Sequence, residues 1–100
     1  MRYHFFKDLH QPYTTRVINE EIARLRTTLQ PFQPLEEGIT RSYPVTAFST
    51  TIRELPIDFI IQALPEEHHR TLYRAVSQVI IITKKELPPD LEKALQRHYQ

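Results

Sequence analysis

Residues 56–83 read PIDFIIQALPEEHHRTLYRAVSQVIIIT, and the fold turns on how this stretch is read. Between Pro56 and Leu64 stand Ile57, Phe59, Ile60, Ile61, Ala63 and Leu64, with Asp58 and Gln62 as the polar members. At about 100° per residue these apolar side chains point almost all round a helix, which must then be buried on most sides or meet a partner. Each Phe or Ile buried there contributes roughly 1.5–3 kcal/mol. The segment is therefore expected to be a central core helix.

Leu64-Pro65-Glu66-Glu67 reads as a fresh helix start, with proline in the first turn and two carboxylates at the positive end of the helix dipole. From there to Thr83, Leu72, Ala75, Val76, Val79, Ile80 and Ile82 fall on one broad face, with His68 and His69 at its edges. Arg70, Arg74, Ser77, Gln78 and Lys85 fall opposite, and Ile81 falls among them. Either Ile81 is an exposed anchor for a partner, or 78–83 is not helical. The β-branched run Val79-Ile80-Ile81-Ile82 gives the second option weight, since as a strand it would be apolar on both faces and suit the middle of a sheet, but helix remains the leading reading.

N-terminal to this stretch, Thr14 or Thr15 caps a helix running to about Gln30, with Ile18, Ile22, Leu25 and Leu29 as a narrow apolar seam. Glu20 and Arg24 stand four apart in the favourable order. Residues 2–6 read as an edge strand or as an extended arm whose rings plug the core. Pro31 ends the helix, and 31–47 is a proline-rich connector holding Pro31, Pro34, Pro44 and the sole glycine, Gly38. Within it, residues 43–48 read as a hidden strand, and 49–55 as a helix start interrupted at Pro56. Beyond Lys84-Lys85, Leu87-Pro88-Pro89-Asp90 opens a last helix to about His98, with Leu91, Ala94, Leu95 and His98 on one face.

These elements predict a single domain over residues 1–100 that is mainly α. Three to four helices form a small bundle, with short extended segments near 2–6 and 43–48. The alternative is an α+β fold with a small sheet of 2–6, 43–48 and 78–83.

Composition narrows the chemistry. With 13 basic and 12 acidic residues the formal charge is +1, so no bulk charge selects nucleic acid or an anionic membrane. The lack of cysteine excludes disulfides, thiolate catalysis and cysteine metal sites, and agrees with a reducing cytosol. No apolar run reaches signal-peptide or membrane-spanning length, so a cytoplasmic protein without membrane attachment is expected. One glycine cannot build a phosphate-cradling loop, and it disfavours tight primed hairpins.

No motif rises to a catalytic assignment. On a helix His68 and His69 diverge by about 100° and cannot readily share a metal ion. Asp90, Glu92 and Lys93 superficially suggest a nuclease motif, yet stand where a helix's first-turn charges belong. No serine sits in a nucleophile elbow. No cofactor, metal or catalytic residue is therefore expected.

The expected function is a small non-enzymatic protein-binding module, regulatory, adaptor or inhibitor in kind, that associates with a protein partner or with itself. Its contacts are assigned to a helical ribbon of Arg70, Arg74, Gln78, Ile81 and Lys85, and to Phe32 and Tyr43 on the connector. The alternative is a nucleic-acid-binding regulator that uses the basic helix face, with Arg70, Arg74, Lys84 and Lys85 meeting phosphates.

Overall fold

A computed structural model describes residues 2–65 and 75–100. In chain order it places β1 (Arg2–Pro12), α1 (Thr15–Leu29), a 3-10 turn (Gln30–Phe32), β2 (Leu35–Ser42), β3 (Val45–Ile52), β4 (Leu55–Pro65), β5 (Ala75–Thr83) and α2 (Pro89–His98). The strands form one five-stranded sheet in the order β1-β5-β4-β3-β2, every neighbouring pair antiparallel. The expected helical bundle is therefore wrong, because the described chain is mostly strand with only two α-helices. The three-segment sheet of the alternative also falls short. It lacks β4, the central strand, and β2.

The physical reason lies in residues 56–64. Apolar residues at nearly every position can surround a helix or cover both faces of a strand, and periodicity alone cannot separate the two. In β4, Ile57, Phe59, Ile61 and Ala63 point to one face and are buried, while Asp58, Ile60, Gln62 and Leu64 point to the other and are half-buried. β5 alternates in the same way, with Val79 and Ile81 buried and Ile80 and Ile82 half-buried. The β-branched side chains fit this pleated surface better than a helix.

Register ties the strands into rows. Phe48 of β3 pairs with Phe59 of β4, and Phe59 with Ile81 of β5, so three buried side chains cross the sheet. The two Phe rings lie 5.9 Å apart and tilted by 46°. Against this inner face pack Ile18, Ile22, Leu25 and Leu29 of α1, with Leu91 and Leu95 of α2, in one core cluster. Both helices thus occupy one side of the sheet.

α1 begins where its sequence signals place it. Thr14 Oγ1 accepts from the Val17 backbone N–H at 3.2 Å. The Glu20–Arg24 pair does not form. Glu20 lies 3.9 Å from Arg16, and Arg24 turns to Glu21. α2 starts at Pro89, where Asp90 takes a bidentate contact from Arg53 at 2.6 and 3.0 Å.

The stretch read as a connector carries the 3-10 turn, β2 and the start of β3. The two-residue turn joining β3 to β4 is a further departure from expectation. Arg53 and Glu54 both adopt positive φ, 51° and 67°, the left-handed geometry of a primed hairpin without its usual glycine. The Ile52–Leu55 pairing on either side and the Arg53–Asp90 contact hold it in place.

Candidate functional site

The face of the sheet turned away from the helices is the first candidate. One cross-strand row runs Ala47, Ile60 and Ile80 through β3, β4 and β5. Ile82 stands two residues from Ile80 on the same face, with Val45 and Leu64 toward the opposite end. All six are half-buried, and their remaining cover within the described residues comes from sheet neighbours and not from a helix. Two polar pairs on this face bond to each other. Ser49 Oγ donates to Asp58 Oδ1 at 2.6 Å, and Gln78 Nε2 donates to Asp8 Oδ1 at 3.1 Å. The face is thus an apolar centre beside two carboxylates that each accept a hydrogen bond within the protomer.

The ribbon assigned from the sequence does not exist as a ribbon. Residues 75–83 form a strand, so Gln78 and Ile81 lie on opposite faces of the sheet. Ile81 is fully buried against Phe59, not an exposed anchor, because it occupies an inward position of a central strand. Gln78 is buried and bound to Asp8 on the outer face. Arg70 and Arg74 lie outside the described residues, as do His68 and His69. Lys84 and Lys85 stand exposed in the bend after β5, so the described residues contain no basic helix face there. Of the connector residues, Phe32 packs against the core. Tyr43 is exposed, its ring edge-on to Tyr13 at 5.7 Å.

A second constellation escaped the sequence reading. Between α1 and α2, His98 Nε2 lies 2.6 Å from Glu21 Oε1, and His98 Nδ1 lies 2.8 Å from Thr28 Oγ1. Both the Glu21 and His98 side chains are 3% exposed. With the proton on Nε2, the imidazole donates to the carboxylate and accepts from the threonine hydroxyl. Arg24 donates through Nη1 to Glu21 Oε2 at 2.7 Å and through Nη2 to the His98 carbonyl at 3.2 Å. Arg24 thereby offsets the cost of burying the carboxylate. Beside this network Tyr99 is buried with its hydroxyl unpartnered. Burial, and after it the charge of Glu21, push that hydroxyl well above the usual tyrosine pKa.

The sequence carried half of this signal. Glu21 and Thr28 stand beside the seam of Ile18, Ile22, Leu25 and Leu29, and His98 shares the apolar face of Leu91 and Leu95. Polar side chains beside an apolar stripe need partners when buried. Which partners they find depends on how two helices far apart in sequence meet. Among the described residues no group of His, Asp and Glu is arranged to hold a metal ion, and no helix is long and apolar enough to cross a membrane. No family model matches the chain, and neither does any curated protein or solved structure.

Proposed function

We propose that the chain is a protein-binding module that self-associates through the outer face of its sheet. The observation that carries this reading is the row Ala47–Ile60–Ile80 with Ile82 beside it, an apolar centre on the side that carries no helix among the described residues. Antiparallel sheets with one covered face ordinarily turn polar residues to water on the other. Here β4 and β5 turn isoleucines outward, and contiguous apolar surface of that kind marks an interface.

A second copy fits the face as occupant. Asp8 and Asp58 each accept a hydrogen bond within the protomer, from Gln78 and Ser49, which lessens the polar demand at such a pairing. A two-fold pairing sets the same patch against itself, the commonest arrangement among soluble oligomers. Sheets packed in this way stand about 10 Å apart, with their outward side chains interdigitated. The absence of cysteine supports a reducing, cytosolic setting for this assembly.

Sedimentation equilibrium across a wide concentration range tests the reading. The wild-type chain is expected to be dimeric at micromolar concentration. Ile60→Lys and Ile80→Lys are expected to be monomeric with an unchanged far-ultraviolet circular dichroism spectrum. A wild-type chain that stays monomeric at high micromolar concentration overturns it.

A further inference from the structure

On the helix side, an open groove of about 710 Å³ runs between the last turns of α1 and α2. Pro31, Phe32 and Ala94 make its apolar part, and Arg24, Thr28 and Arg97 its polar part. We infer that this groove binds a small organic oxyanion, a carboxylate or phosphate monoester on a compact apolar body.

Charge is the first support. Thr27 and His98 complete the lining, which therefore contains two guanidiniums and no carboxylate. Glu21 offsets Arg24, so the local excess of cation is carried by Arg97. Arg97 is exposed, and among the described residues no carboxylate lies within ion-pair distance of it. As a cation in the last turn of α2 it also meets the negative end of the helix dipole.

Preorganisation is the second support. Arg24 is anchored by two hydrogen bonds, at 2.7 Å to Glu21 and 3.2 Å to the His98 carbonyl, yet its side chain remains 56% exposed. A guanidinium carries five N–H donors in a rigid fork, so donors remain for a ligand. The Glu21–His98–Thr28 network holds both walls of the groove together, which leaves little to order when a ligand arrives. In this role those three are positioning residues.

Shape and chemistry set the ligand class. The groove is wide open to solvent, so it suits a compact ligand held by one face and one anionic end. Phe32, with the Arg53 guanidinium 5.9 Å from its ring centre, offers a surface for an aromatic or branched aliphatic body. Arg24 and Arg97 offer the charge that fixes the anionic end.

Heteronuclear NMR titration of the full chain tests the inference, with benzoate and phenyl phosphate as the two anionic probes and benzamide as the neutral control. Saturable shifts of the Thr28, Phe32, Ala94 and Arg97 amides with at least one anion, and none with benzamide, are expected. The arm that binds more tightly assigns carboxylate or phosphate. Arg97→Gln removes a charged hydrogen-bond donor at the exposed rim and is expected to weaken binding at least about tenfold. Phe32→Leu keeps apolar packing while removing the ring, and is also expected to weaken it. No saturable shift with either anion, equal response to benzamide, or unchanged affinity in Arg97→Gln overturns the inference. Because groove and outer sheet face lie on opposite sides of the sheet, this result is independent of the oligomeric state.

Discussion

At Tyr99 a single hydroxyl is buried without a partner, at a cost of about 1–3 kcal/mol for its lost hydration. Tyr99→Phe keeps the ring and discards that cost, so it is expected to raise stability by about 1 kcal/mol. For a chain of 100 residues that is a melting temperature higher by roughly 4–8 °C. A destabilised variant would mean that the hydroxyl has found a partner in solution. The same group sets an alkaline limit. Its pKa is raised in the folded chain, so below about pH 10 both states hold the proton and stability is untouched. Above that, the unfolded chain ionises first, and stability falls by about 1.4 kcal/mol per pH unit until the folded state ionises too. Chemical denaturation across pH 9–12 is expected to show this extra slope in the wild type and not in Tyr99→Phe. Glu54 is a second residue whose effect is local. It holds a φ of 67° that an L side chain disfavours by about 1–2 kcal/mol, so Glu54→Gly is expected to stabilise the hairpin by about 1 kcal/mol in urea unfolding.

Among the elements, β5 separates the two readings of Val79 to Ile82 most sharply. As a strand it turns Ile81 inward to full burial and Ile80 outward to half-burial. Ile81→Lys places an unpaired charge beneath Phe59 and is expected to cost at least about 4 kcal/mol, enough to unfold a marginally stable domain. Ile80→Lys is expected to leave a folded monomer. Thermal unfolding of the two variants side by side checks the alternation. On a helix these neighbours would diverge by only about 100°, and so sharp a contrast would not be required. The helices are joined differently, through the buried Glu21–His98 contact and through the core cluster that Leu25 and Leu29 share with Leu91 and Leu95. One polar clamp in an apolar seam specifies how the two helices register while adding little net stability.

Among the described residues, both helices shield one face of the sheet, and the proposed dimer would cover the other. The proposed association would couple folding to concentration, because a dimer that forms only from folded chains is stabilised by mass action. The melting temperature of the wild type is accordingly expected to rise with protein concentration, while that of Ile60→Lys stays constant. Differential scanning calorimetry over two decades of concentration reads this directly. A ligand in the α1–α2 groove would raise the melting temperature on the same principle, but without changing oligomeric state.

Local physical chemistry was enough for the two helices. Thr14 supplies a cap oxygen to Val17, the Ile18–Leu29 seam has helical spacing, and the Pro88-Pro89-Asp90 run starts α2. Residues 43–48 and 78–83 likewise carried strand signals of their own. Residues 56–64 did not, because a segment apolar on all sides satisfies a buried helix and a central strand equally well. Only the neighbours on either side, β3 through Phe48 and β5 through Ile81, make it β4. The outer apolar row and the Glu21–His98–Thr28 network arose at the same level. Each joins residues from separate elements, and their meeting is set by strand register and helix packing, which no local pattern encodes.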